Sequence, residues 1–100
     1  MVTLQSVKQA FDEIYAIYHH IQVTRDWDTC SGPKVQVHTL NFTIGSHHAQ
    51  DILNDLASEL NITLSPITNF YQYVDSESDT ILNIHMDEDN SSIILITPTL

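Results

Sequence analysis

The sequence has very few basic residues. Lys and Arg together make up 3 of its 100 residues, against 13 Asp and Glu, so the formal net charge at pH 7 is −10. Proteins that bind nucleic acid or anionic membranes use Lys and Arg to neutralise phosphate, and this chain has only Lys8, Arg25 and Lys34. The shortage argues against direct nucleic-acid and membrane partners, and it favours a basic protein as partner.

Cysteine and glycine are scarce too. With Cys30 as the only cysteine, no disulfide can form within the chain, so a reducing, cytoplasmic location is expected. The two glycines, Gly32 and Gly45, are too few for the Gly-rich loops of P-loop and dinucleotide-binding proteins, and no cofactor is expected. The start of the chain lacks a signal-peptide pattern, and no apolar run approaches the roughly 20 residues of a membrane helix.

The chain does contain enough apolar residues to fold. Its hydrophobic fraction is 42%, with 16% charged residues, which is typical of a globular protein and not of a disordered one. A length of 100 residues predicts a single domain over residues 1–100.

The clearest predicted element is an amphipathic helix near the N-terminus. Apolar residues recur there at alternating intervals of three and four, Thr3 is a candidate N-cap, and His19 and His20 fall in the last turn. The apolar positions are Leu4, Val7, Phe11, Ile14, Tyr18 and Ile21.

The rest of the chain predicts one more helix and four strands. Residues 24–34 are interpreted as a loop that Gly32-Pro33 breaks. A strand follows at about 35–44, and its apolar alternation changes phase near His38-Thr39, which suggests a bulge. A second helix starts after Gly45, with Ser46 as candidate N-cap and Asn61 as C-cap. Strand-like runs occupy residues 68–74, 80–86 and 92–97.

These elements predict an α+β fold in the order α-β-α-β-β-β. Two helices would pack on one face of a four-stranded, mostly antiparallel sheet that ends in a β-meander. The run Ile93-Ile94-Leu95-Ile96 is apolar on both faces of its strand, so this strand is expected to be central or covered on both sides.

Clustered acidic residues are the candidate binding site for a partner. Three acids spaced by four share one face of the second helix, where no cation offsets their repulsion. Two predicted turns are also acidic, and a tryptophan lies between two aspartates, a combination that suits an interface hot spot. The candidate residues are Asp51, Asp55, Glu59, Asp75, Glu77, Asp79, Asp87, Glu88, Asp89, Asp26, Trp27 and Asp28. The alternative for these carboxylates is a solvated face that keeps the protein soluble.

Other chemistry finds less support in the sequence. Six histidines are present, and His47 or His48 with Asp51 could offer two metal ligands, but nothing in the sequence brings in a third. The run from Asp75 to Thr80 fails the calcium-loop pattern because Thr80 stands where Gly is required. Neighbouring aspartates would disfavour a reactive Cys30 thiolate. No catalytic or metal-binding residue is therefore assigned.

The leading hypothesis is a small binding protein without catalytic activity that covers a basic surface of its partner. Immunity proteins, antitoxins and phage anti-defence proteins act in this way on nucleic-acid-handling enzymes. One alternative is a metal-binding protein or metal-dependent enzyme that uses histidines with the carboxylates of the second helix. Another is a homo-oligomeric structural domain whose acidity serves solubility alone.

Overall fold

A computed structural model of the chain describes residues 1–99 and has an α+β architecture. The helices are α1 (Leu4–Ile17) and α2 (Ala49–Leu60). The strands are β1 (Gln22–Ser31), β2 (Val35–Thr43), β3 (Ser65–Ile67), β4 (Phe70–Asp75), β5 (Thr80–His85) and β6 (Ser91–Pro98). They form one antiparallel sheet in the order β1-β2-β6-β5-β4-β3.

The prediction of four strands was wrong, because the sheet has six. The segment interpreted as a loop over 24–34 contributes most of β1, and only residues 32–34 form the turn to β2. Strand β1 is an edge strand exposed on both faces except at Trp27, so its sequence carries no alternation that would reveal it. Strand β3 has three residues, one of them Pro66, and is too short to leave a pattern.

The C-terminal meander is confirmed. Strand β4 pairs with β5 and β5 with β6, both antiparallel. Strand β6 then pairs along its length with β2, from Ser91–Phe42 to Pro98–Val35. The strand with apolar residues on both faces is therefore central, as expected.

The predicted bulge near His38-Thr39 was also wrong. Strand β2 pairs with β6 without a register shift, and its buried positions are His38, Leu40 and Phe42. The apparent phase change arises because a histidine occupies an inward position, while Val37 lies on the opposite face. The irregularities are instead in β1, between Val23 and Arg25 and between Arg25 and Asp28.

Both helices pack against one face of the sheet. The core joins Val7, Phe11 and Ile14 of α1 and Ile52, Leu53 and Leu56 of α2 to the inward residues of the central strands. Burial of this apolar surface is the main favourable term in folding. Those inward residues are Leu40, Phe42, Leu82, Ile84, Ile93 and Leu95.

Helix α1 begins as the sequence predicts and ends earlier. Thr3 caps it through a reciprocal pair of hydrogen bonds with Ser6. The helix ends at Ile17, and Tyr18 is extended (φ −95°, ψ 99°), so His19 and His20 lie beyond it and not in its last turn. The apolar spacing continues to residue 21 because Tyr18 and Ile21 pack on the core from non-helical backbone.

Helix α2 has the predicted C-cap and a different N-cap. Asn61 adopts the left-handed conformation at φ 54°, which Asn tolerates better than most residues. The N-cap is His48. Ser46 does not cap the helix, because its hydroxyl is hydrogen-bonded to Nδ1 of His20 at 2.9 Å.

Within residues 1–99, no helix covers the other face of the sheet. We call this surface, on strands β2, β4, β5 and β6, the open face. Its residues alternate with the helix-facing ones in each of those four strands. They are Val35, Val37, Thr39, Asn41, Thr43, Phe70, Gln72, Val74, Ile81, Asn83, His85, Ser92, Ile94, Ile96 and Pro98.

Candidate protein-docking surface

A cleft lies between α1 and the edge strand β1. We call it the aromatic cleft; its volume is about 260 Å³. Its side chains come from one side of α1, from β1 and from the adjacent strand β2. They are Phe11, Asp12, Tyr15, Val23, Asp26, Trp27 and Leu40. Rings therefore line a cleft that also contains two carboxylates.

The irregularity in β1 places Trp27 in this cleft. Between Arg25 and Asp28 the pairing register with β2 shifts, so Asp26 and Trp27 lie in the stretch that has no regular partner. Bulges of this kind redirect side chains. Trp27 is the one residue of β1 that is partly buried instead of exposed, and it packs against the core. Its backbone N–H donates to Oδ1 of Asp26 at 2.8 Å.

The helical side of the aromatic cleft is built from a stack of two rings. The rings of Phe11 and Tyr15 stack with centroids 5.9 Å apart, as residues one turn apart on a helix can. Phe11 is buried edge-to-face against Phe42, with centroids 5.1 Å apart. Tyr15 is 47% exposed. The buried ring thus stacks on the exposed one, so that Tyr15 presents an aromatic surface to solvent.

A second cleft lies between α1 and α2. This interhelical groove has a volume of about 470 Å³ and is lined by Ser6, Gln9, Ala10, Asp12, Glu13 and Glu59. Asp12 lines both clefts. A series of four carboxylates therefore extends from β1 across α1 to α2. We call these four residues the acidic band: Asp26, Asp12, Glu13 and Glu59.

No Lys or Arg lines either cleft. Lys8 is the only Lys or Arg of α1, and its charge helps to lower the pKa of His38. Among residues 1–99 the one ion pair is Arg25–Asp28, at 3.3 Å between exposed side chains. Charge pairing within residues 1–99 is thus minimal, and no Lys or Arg of these residues forms an ion pair with the acidic band.

The other predicted residues of α2 have different surroundings. Asp51 is exposed in the first turn. Asp55 is half-buried and accepts a hydrogen bond from the Tyr18 hydroxyl at 2.5 Å. This bond, with burial and the nearby charge of Asp55, raises the pKa of Tyr18 to about 12. Asp55 therefore connects α2 to the end of α1, besides contributing charge.

The acidic turns do not lie together. Asp75, Glu77 and Asp79 are at the start of β5 and Asp87, Glu88 and Asp89 at its end, so strand β5 separates the two groups. Asp28 pairs in register with Thr39 on the side of the open face, away from Trp27. The structure thus brings Asp26, Trp27 and Glu59 to the clefts along α1 and distributes the other predicted residues around the molecule.

Sequence reasoning missed Asp12, Glu13 and Tyr15. The signal was present, because these residues lie off the apolar seam of α1 and must therefore be near solvent. What the sequence did not reveal was the neighbour: only the fold places β1 on one side of α1 and α2 on the other.

The histidines have local partners. His20 donates its backbone N–H to Nε2 of His47 at 3.0 Å, so that ring nitrogen is already used. His38 contacts the hydroxyls of Thr29 and Thr97. Among residues 1–99, no three His, Cys, Asp or Glu side chains are grouped closely enough to hold a metal ion.

Comparison with known proteins finds no matching family model, no matching curated protein and no matching solved structure. Within residues 1–99, neither helix has the length and apolar character needed to cross a membrane.

Proposed function

We propose that this protein is a non-catalytic binding module that covers a basic segment of a partner protein with the surface around α1. The observation that carries the proposal is the position of Asp12, which joins a cleft with aromatic walls to an acidic interhelical groove, both without Lys or Arg. The acidic band and the aromatic cleft together form the docking surface.

The chemistry of the aromatic cleft suits an arginine or lysine side chain. A cation over the face of Trp or Tyr gains about 0.5–2 kcal/mol, more as water is excluded. Asp12 and Asp26 line the same cleft as Trp27 and Tyr15, so their carboxylates can accept charge-assisted hydrogen bonds from the same side chain. An aromatic anchor surrounded by charged residues is the arrangement expected of a binding hot spot.

The acidic band adds attraction at longer range. Glu13 and Glu59 line the neighbouring groove, where a second basic residue of the partner would be held. Complementary charge mainly speeds association and selects the partner, and the net charge of −10 adds to this steering. Inhibition would follow if the covered segment is one the partner needs, as in immunity proteins, antitoxins and phage anti-defence proteins.

The partner surface is expected to be local, and not a long duplex-binding groove. Duplex DNA carries one charge per roughly 1.7 Å of its axis, and α2 alone does not approach that density. The two acidic turns lie at opposite ends of β5 and do not extend the band into a continuous charged stripe. The proposal is therefore recognition of a basic peptide segment, without imitation of the double helix.

A titration with triarginine amide tests the cleft directly. Trp27 is the only tryptophan, so its fluorescence reports on the aromatic cleft. We expect a saturable change that weakens with salt. In the double variant Asp12→Asn/Asp26→Asn, the affinity should fall about tenfold, because both carboxylates are lost.

The matched control is Glu77→Gln/Asp89→Asn, which changes the net charge equally but at the two turns. It should change affinity by less than about twofold. The same three proteins, used to capture partners from cell extract, should retain a basic protein with wild type and control and lose it with the cleft variant. Equal losses in both double variants would reduce the effect to net charge and overturn the proposal.

A further inference from the structure

The open face of the sheet has an unusual composition for this chain. Of its 15 residues, none is Asp, Glu, Lys or Arg, in a chain with 13 acids, and the adjacent strand β1 adds the ion pair Arg25–Asp28 on the same side. Apolar side chains form a row across four strands: Val37 pairs with Ile96, Ile96 with Ile81, and Ile81 with Val74. Val74 is 54% exposed. The four strands thus present an uncharged and partly apolar surface, and the one acid at its margin, Asp28, is paired with Arg25.

The central strand needs a cover on this side. Ile94 and Ile96 of β6 face away from the helices, while Ile93 and Leu95 are buried beneath them. A strand that is apolar on both faces is typical of a sheet covered on both sides. The described part of the chain provides one layer of helices, on the opposite side of the sheet. A shallow depression of about 390 Å³, lined by Phe70, Ile94 and four polar residues, lies on the same face.

The edges of the sheet are poor sites for adding a partner strand. Strand β1 has two register shifts, and β3 has three residues and includes Pro66. Bulges, short strands and proline are the devices by which proteins prevent pairing at sheet edges. Association through the sheet is therefore expected at its face.

We propose that a second copy of this chain packs against the open face, so that two sheets form a sandwich with helices on both outer sides. Two copies each with net charge −10 repel one another. The open face is the surface on which they can meet with little repulsion, because Asp28 at its margin is paired with Arg25. A two-fold axis near Ile81 and Ile96 would stack the apolar row of one copy on that of the other.

The area agrees with a specific dimer. Together with β1 and β3, which flank the open face, the sheet presents six strands about 4.8 Å apart and about 20 Å long, or roughly 600 Å². Two copies would bury on the order of 1,200 Å² in total, which is the lower end of specific interfaces. The helical surface with the aromatic cleft lies on the opposite side of the sheet. The dimer would thus present two docking surfaces, and it goes beyond the proposed function without depending on it.

Sedimentation velocity from micromolar to millimolar protein, with reductant and with Cys30→Ser, tests the dimer. We expect wild type to reach twice its monomer mass of 11.4 kDa as its concentration rises. High salt should lower the concentration at which the dimer forms, because screening weakens the mutual repulsion. Ile96→Glu should weaken dimerisation at least about tenfold, since two carboxylates would meet near the axis. Ile17→Glu, at a 61% exposed residue of α1 with the same charge change, should leave it unchanged.

A second variant, Val74→Glu, is included in case Ile96→Glu fails to fold, because Val74 is already exposed. We expect the Val74→Glu protein to dimerise more weakly than wild type, while its circular dichroism and urea melts match those of wild type. A wild-type protein that stays monomeric at millimolar concentration in high salt overturns the proposal. So does a folded Ile96→Glu or Val74→Glu that dimerises like wild type, or an equal effect of Ile17→Glu.

Discussion

The hydroxyl of Tyr18 donates a 2.5 Å hydrogen bond to Oδ2 of Asp55, 37 residues later in the chain. It connects the residue at which α1 ends to the middle of α2. The ring of Tyr18 also contacts His47 edge-on, with centroids 5.0 Å apart. One side chain therefore joins the end of the first helix to the second helix and to the loop before it.

This bond predicts an abnormal tyrosine titration. The pKa of Tyr18 is raised to about 12, chiefly by the hydrogen bond to Asp55. Because the folded-state pKa lies above the unfolded value of 10, the stabilisation is full below pH 10 and is lost as the pH rises through about 12. Ultraviolet titration should find one of the four tyrosines ionising late in wild type and earlier in Asp55→Ala. Asp51→Ala should have a much smaller effect, and an unchanged late tyrosine in Asp55→Ala would contradict the assignment.

Neutralising Asp51 and neutralising Glu59 should have opposite effects on stability, although both are acids on the same face of α2. Asp51 is in the first turn of α2, where the helix dipole favours a negative charge, and Glu59 is in the last turn, where it does not. Glu59→Gln should raise the free energy of unfolding by about 0.3–1 kcal/mol, and Asp51→Asn should lower it by up to about 0.5 kcal/mol. Urea melts at low salt measure both. The same sign for the two changes would show that mutual repulsion outweighs the dipole.

We expect the protein to lose stability in mild acid because of His38. Its pKa is lowered from 6.5, first by burial and then by the charge of Lys8. The unfolded chain therefore takes up a proton at higher pH than the folded one, so the stabilisation is present above about pH 6.5 and is lost as the pH falls through the folded-state pKa. Urea melts from about pH 8 to about pH 5 should show this slope, reduced in His38→Gln. Lys8→Gln should raise the His38 pKa in an NMR titration, and a His38 that titrates above 6.5 would refute the account.

Phe11 is expected to be the most sensitive position on α1. It is 3% exposed and packs edge-to-face on Phe42 of β2. Phe11→Ala should cost about 3–5 kcal/mol, because it removes a buried ring and leaves a cavity. Tyr15→Ala, at the exposed partner of the same stack, should cost about 1 kcal/mol. A loss below about 1 kcal/mol for Phe11→Ala in urea melts would mean that α1 is not the cover of the sheet.

The candidate site was only partly predictable. Trp27 and Asp26 could be predicted as site residues because an aromatic residue between acids is unusual, and both line the aromatic cleft. Asp12 and Glu13 did not, because acids on the polar side of a helix are ordinary until a neighbour is known. The opposite case is Asp55, which belongs to an obvious acidic stripe but is held by Tyr18.

Several elements can be recognised from the sequence alone. Helices α1 and α2 repeat apolar residues at the period of their backbone, and strands β4, β5 and β6 are apolar-rich runs bounded by polar turns, so these patterns are visible without neighbours. The remaining features depend on contacts between elements. Strand β1 exists because β2 offers it hydrogen bonds, not because its own residues are buried, and the inward position of His38 depends on Thr29 and Thr97. The acidic band arises where α1 lies between β1 and α2, because charges brought together by packing leave no periodic signal in the chain.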